Sequence, residues 1–216
     1  MEGKKHSWSF ILKKGFFFSH TIEVLDFWFQ YLFSQEVLVP SVLRTNFSDY
    51  PKLHPVPLIV RKEFLAEGNL NSAAGDNKPA LVLGGSGIDT LTLKAWADKS
   101  HIKIFERKSQ AQSRSVNLAK ELKNFNPIVV QGGLSSLSEC LALEKFMLIV
   151  PVMNHWEQFI NGEKIESLGL GKMTTLEDLD SSLSDFLKRE PNNLAKKIDC
   201  TGAKAVSDII LRKNIK

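Results

Sequence analysis

Apolar residues change their spacing along this chain. From Phe16 to Phe33 they recur every three or four positions, interrupted by His20, Glu23, Asp26 and Gln30. That is the spacing of a helix with one apolar face, and it predicts an amphipathic helix packed on a core. Two short apolar runs follow, Val37-Leu38-Val39 up to Pro40 and Pro57-Leu58-Ile59-Val60, and each predicts a strand. Ala66 to Pro79 then collects Gly68, Asn69, Asn71, Ser72, Gly75, Asp76 and Asn77, which is linker composition. Beyond it the runs become nearly all apolar. Ala80–Leu83, Ile102–Phe105, Ile128–Val130 and Met147–Val150 predict strands, each followed by helical spacing. Helices are expected up to about Asp98, over Val116–Leu122, Ser135–Leu143 and His155–Leu168, and finally around Ala203–Leu211. Strands without a polar face that alternate with helices belong to a parallel sheet covered on both sides. The expected fold is α/β, a Rossmann-like doubly wound parallel sheet over residues 79–216. Residues 67–78 are the expected linker, and 1–66 a partial amino-terminal segment.

Composition narrows the function classes without choosing one. The 216 residues carry 28 Lys and Arg against 24 Asp and Glu, a net charge of +4, with 43% hydrophobic content. The cations are dispersed, so an anionic small molecule or acidic lipid fits and nucleic acid does not. Cys140 and Cys200 have no CxxC partner or histidine cluster. They argue against zinc and against a disulfide framework, and for a reducing compartment, the cytoplasm. No window of 18 uninterrupted apolar residues predicts a membrane span. Lys4, Lys5, Lys13 and Lys14 precede Phe16–Phe33, but that segment lacks a signal peptide's apolar centre and cleavage site. Its aromatic residues leave a peripheral membrane contact as the alternative to core packing.

Two glycine loops carry candidate chemistry. Gly84-Gly85-Ser86-Gly87 lies between a strand and a helix, where backbone N–H groups and the positive helix end face an anion. Gly85-Ser86-Gly87-Ile88-Asp89-Thr90 also approaches the dinucleotide fingerprint, with Glu106 placed to hold a ribose, but Thr90 stands in its third glycine position. A plain connecting turn remains open. Gln131-Gly132-Gly133-Leu134-Ser135-Ser136 repeats the strand–glycine–helix arrangement and adds hydroxyls suited to a phosphate. Glu139 lies one turn further, where a carboxylate can accept from ribose hydroxyls, although Ser136-x-x-Glu139 also spells a capping box. After Pro151, Asn154-His155-Trp156-Glu157-Gln158 opens a helix. Glu157 and Gln158 suit sugar hydroxyls, and Asn154-x-x-Glu157 is again a candidate capping box.

From Gln131 to Gly171 the sequence reads QGGLSSLSECLALEKFMLIVPVMNHWEQFINGEKIESLGLG. In its glycine pair, small polar residues, glutamate, strand ending in proline, acidic-Gln pair, asparagine and late glycine, it resembles the carboxyl-terminal domain of GT-B glycosyltransferases. The MurG-like and UDP-glycosyltransferase-like group is nearest, and LVLGGSGIDTL resembles the first strand and loop of the same domain. The resemblance implies a hexosyltransferase whose diphosphate is lined by Gly85, Ser86, Gly87, Gly133, Ser135 and Ser136. It implies that Glu139 holds the ribose and that Asn154, His155, Glu157 and Gln158 meet the donor sugar. The edge at Phe105 or Glu106 would meet the base. Gln131 departs from the histidine of many relatives, and Gly162 from an alanine. The donor is expected to be a UDP-linked hexose or N-acetylhexosamine. No metal or other cofactor is expected, on the reading that the chain lacks an Asp-x-Asp motif.

Residues 1–66 are too few for a whole amino-terminal domain, and the resemblance assigns no catalytic residue. Three explanations stand: a truncated enzyme, a subunit whose partner supplies the other half, or an inactive donor-binding remnant. The partners expected are thus a nucleotide-sugar donor, an amino-terminal partner subunit and a second copy of the chain. A non-catalytic nucleotide-sugar-binding subunit and an NAD-dependent Rossmann oxidoreductase remain as alternatives.

Overall fold

A computed structural model describes residues 6–42, 49–68, 78–84, 88–106, 118–188 and 198–213. Its main sheet holds five strands: β3 (Ala80–Leu83), β4 (Lys103–Glu106), β5 (Ile128–Val130), β6 (Met147–Ile149) and β7 (Gly171–Met173). All neighbours are parallel, in the order β4-β3-β5-β6-β7. Successive side chains of a strand point to opposite faces, and each face has its own core. Ala80, Val82, Ile128, Val130, Met147 and Ile149 pack on one side with Leu137, Cys140 and Ile165. Leu81, Leu83, Val129 and Leu148 pack on the other with Leu93, Ala97 and Leu179. Thus α3 (Lys62–Gly68), α5 (Leu118–Leu122), α6 (Leu134–Ala142) and α7 (Trp156–Ser167) cover the first face. The second is covered by α4 (Ile88–Lys99) and α8 (Leu179–Leu187). The doubly wound parallel sheet expected from the nearly all-apolar runs is the fold.

Gly171-Lys172-Met173 gave no strand pattern, yet it is the fifth strand. Its glycine is required by close approach, since a Cβ there would stand 2.7 Å from the Met147 carbonyl oxygen. Gly162 lets α7 lie close on the sheet, with a Cβ reaching within 3.0 Å of Met173 and 3.3 Å of Ile149. The replaced alanine therefore concerns helix–sheet packing as well as helix propensity.

A second, two-stranded parallel sheet joins β1 (Val37–Pro40) to β2 (Leu53–Val56). The expected strand over Pro57–Val60 is displaced: the ladder ends at Val56, and Ile59 makes only an isolated bridge to Thr201. Pro57 has no N–H to extend the ladder. Leu58, Val60 and Phe64 are buried in the core of the main sheet instead. In the expected linker, α3 runs on to Gly68, and residues 69–77 lie outside the described ones. The chain closes with α9 (Gly202–Lys213), which returns to β2 so tightly that a Cβ on Gly202 would collide with the Pro57 carbonyl.

The amino-terminal helices are α1 (Trp8–Lys13) and α2 (Phe17–Phe33). The helix expected over Phe16–Phe33 forms, but no residue of it is buried. The expectation of an apolar face packed on a core is overturned: α2 meets the body through Ser19, His20 and Glu23 against α7 and through Phe27 and Tyr31 against Tyr50.

Candidate functional site

The sheet reverses its strand order beside β3. The chain passes from β3 to β4 on one side, then crosses to β5 on the other. Open parallel sheets bind ligands outside the carboxyl ends of their strands at such a point. The two glycine loops flank it. Gly85, Ser86 and Gly87 lie outside the described residues, but Gly84 is placed: a Cβ on it would stand 2.9 Å from Ser136 Oγ. Gly84 and the start of α6 therefore lie close together. Gln131 is buried and donates from Nε2 to Thr90 Oγ1 at 3.4 Å, tying the end of β5 to α4. Thr90, the residue that breaks the dinucleotide fingerprint, is thus a partner of Gln131. Glu106 pairs with Lys94 Nζ at 2.8 Å, and Phe105 is buried.

Helix α6 begins three residues earlier than a Ser136 cap would place it. Gly133 is its N-cap, with no side-chain cap bond, so Ser136-x-x-Glu139 is not a capping box. Gly132 takes φ +96°, which favours glycine, and a Cβ there would lie 2.8 Å from the Gln158 carbonyl. A Cβ on Gly133 would meet nothing within 4 Å. Ser135 is exposed and Ser136 buried. The first N–H groups of a helix have no partner within it, and here they open beside that space. Glu139 sits one turn on, 5% exposed, and accepts from Arg61 Nε at 2.9 Å.

The second capping box does not form either. His155 is the N-cap of α7, without a side-chain cap bond, and Asn154 has φ +62°. The amides of α7 are met from α2. The N–H of Trp156 donates to Ser19 Oγ at 3.2 Å and that of Glu157 to Glu23 Oε1 at 3.0 Å. Partial burial raises the Glu23 carboxyl above its ordinary value, opposed by its bond from the Glu157 N–H, while the Glu157 charge raises it further. Asn154 lies against Gly15, where an added Cβ would stand 2.5 Å from its Oδ1. Nδ1 of His155 and Nδ1 of His20 are both buried without a hydrogen-bond partner. Gln158 Oε1 accepts from the Val152 N–H at 3.0 Å and holds the loop, while Glu157 is exposed.

Asn161 was noted in the sequence but given no role. Its Nδ2 donates to the Gly132 carbonyl at 3.2 Å and to Glu157 Oε1 at 3.3 Å, joining the two candidate loops. Its place four residues after Glu157, on the same helix face, was the available signal. Asp178-Leu179-Asp180 was missed too, and it has Asp-x-Asp spacing. Its carboxylates are engaged elsewhere: Asp178 Oδ2 accepts from Thr175 Oγ1, and Asp180 Oδ1 from Trp96 Nε1 at 2.7 Å. Among the described residues no group of three or more His, Cys, Asp or Glu could hold a metal ion.

The family glycosyl transferase family 1 matches residues 97–191, which include β5, α6, β6 and α7. That match covers 95 of the 216 residues, a little under half of the chain. An uncharacterized glycosyltransferase of Methanopyrus kandleri, MK0977, is 38% identical over 63 residues, covering 29% of this chain and 18% of that protein. The fold of the domain is similar to that of the glycotransferase of kitacinnamycin, with a TM-score of 0.51 and 18% identity. The similarity spans 82% of this chain and 54% of that one. The chain thus spans about half the length of that structure and under a fifth of the curated relative. No helix among the described residues is long and apolar enough to cross a membrane.

Proposed function

We propose that this chain is the donor-binding half of a glycosyltransferase that takes a nucleoside diphosphate sugar. The base is uridine and the sugar a hexose or N-acetylhexosamine, as in the MurG-like group. The observation that supports it best is the open space beside Gly133 at the start of α6, close to Gly84 at the strand-order reversal. In this reading the diphosphate lies there, against the first N–H groups of α6, Ser135 and Ser136. Glu139 takes the ribose. Asn154, His155, Glu157 and Gln158 meet the sugar, and Gly85, Ser86 and Gly87, which lie outside the described residues, are assigned to the diphosphate by the resemblance alone. As the bond from the sugar to the diphosphate breaks, negative charge grows on the departing oxygen. Fixed N–H dipoles stabilise that charge more than they stabilise the ground state. The acceptor site then belongs to another half, since about half of the similar structure has no counterpart here.

Calorimetry with UDP, UDP-N-acetylglucosamine and NAD tests the reading. Uridine nucleotides should bind and NAD should not. Gly133→Val adds bulk to the open space at φ −65°, ψ 133°, a backbone that valine accepts. It should weaken UDP binding at least ~10-fold, about 1.4 kcal/mol, with the fold unchanged by circular dichroism. Silence with UDP, or equal affinity in the variant, rejects the site. NAD binding in its place would favour an oxidoreductase.

A further inference from the structure

Asn161 stands in the second turn of α7, and its Nδ2 faces two acceptors. One is the Gly132 carbonyl at 3.2 Å, the other Glu157 Oε1 at 3.3 Å. A carbonyl and an ionised carboxylate can only accept, so the amide nitrogen must be the atom that meets them. Both hydrogens of that nitrogen are thereby used. Aspartate would set an acceptor against two acceptors, and alanine would leave both without the bond. No other side chain of this length offers two donors on one atom.

Each bond fixes a different group. Gly132 lies so close to α7 that a Cβ would stand 2.8 Å from the Gln158 carbonyl, and its φ of +96° belongs to glycine's wider range. The bond to Asn161 turns the Gly132 carbonyl toward α7. In a planar trans peptide the next N–H points the opposite way. The Gly133 N–H is therefore directed away from α7, at the N-cap of α6 and beside the open space. At the other end, the Glu157 N–H is held by Glu23 Oε1 and the Glu157 carboxylate by Asn161. Glu157 is exposed. An exposed carboxylate gains little stability from a partner four residues along a helix. It does lose rotamer freedom, and a carboxylate held in place before a ligand arrives costs less to order on binding.

We propose that Asn161 is a positioning residue that makes the grips on the donor's sugar and diphosphate one unit. Its amide nitrogen holds the Glu157 carboxylate in place for the sugar and locks the Gly132–Gly133 peptide beside the diphosphate. Asn161 acts through these two groups rather than on the donor itself. The proposal rests on the donor-half reading and adds to it the residue that joins its two subsites. Its consequence is specific: without Asn161 the donor loses chiefly the affinity that its sugar contributes.

Calorimetry on the full chain with UDP, UDP-glucose and UDP-N-acetylglucosamine tests it. In the wild type the better of the two sugars should tighten binding over UDP. Asn161→Ala and the same-sized Asn161→Asp should each cut that sugar-dependent gain ~5-fold, the scale of one lost hydrogen bond. Binding of UDP itself should weaken only ~2-fold, through the Gly132 peptide. In a Glu157→Ala background the same substitutions should leave the remaining gain unchanged, because residues that act through one contact are not additive. A merely structural asparagine would weaken UDP and both UDP-sugars by one common factor in either background, and that result overturns the proposal. So does an undiminished gain in both Asn161 variants, or a wild type that binds UDP and gains nothing from either sugar. A wild type silent to all three nucleotides would reject the donor reading itself, and the role of Asn161 with it.

Discussion

Arg61 joins parts of the chain that are 78 positions apart. Its guanidinium lies 4.9 Å from the centre of the Phe64 ring, and its Nε meets the nearly buried carboxylate of Glu139. Removing one partner of such a pair leaves the other short of a donor away from water, which costs more than the pair itself contributes. The Arg61 side chain is 47% exposed, so water replaces part of what is lost. Arg61→Ala should therefore lower stability by about 1–2 kcal/mol in urea unfolding. A change within a few tenths would show that water serves Glu139 equally well. The sequence marked Glu139 by its distance from two serines, but a capping box and a ligand site need the same letters. Only the placement of Gly133 as the N-cap separates them, and the pairing with Arg61 is a tertiary contact no local spacing encodes.

Helix α7 is clasped along its length. His6 Nε2 lies 2.6 Å from Glu163, Lys164 Nζ donates to Ser41, and Trp156 and Phe159 stack among Phe10, Phe16 and His20. At its first turn partial burial raises the Glu23 carboxyl above the ordinary value of 4.5. A raised acid contributes stability that is fully present below that ordinary value and lost as pH climbs through the folded one. Glu23→Gln stays uncharged and can still accept from the Glu157 N–H. Thermal melts should show that variant about 1–3 °C above wild type at pH 7, with the gap closing near pH 4. The opposite sign at pH 7 would mean that the dipole of α7 outweighs burial. The central strands β3, β5 and β6 were legible because burial on both faces leaves no polar position in them. β7 was not, because Lys172 and a glycine occupy two of its three places. The arc of α2 was legible as a helix face, but not its direction, which depends on polar bonds to a helix 134 or more positions away.

At the scale of the molecule, both cysteines report on global opening. Cys140 is buried in the sheet's core, and burial with the nearby Asp199 pushes the Cys200 thiol up to about 11. Thiolate is the reactive form, so at pH 8 a thiol-reactive disulfide should label neither until the protein unfolds. Labelling within minutes in native buffer would reveal local loosening where α9 meets β2. The alternation of strands and helices foretold the doubly wound sheet, whereas the strand order that places the site could not be read from spacing. Nor could the small parallel pair of β1 and β2. Arg61 stands between that pair and the main sheet, and it holds the carboxylate assigned here to the ribose. A nucleotide that draws on Glu139 would change the tie between the two sheets. Linkage is reciprocal, so whatever repositions the small sheet would change nucleotide affinity by the same factor. One ion pair would then couple donor binding to the position of the small sheet.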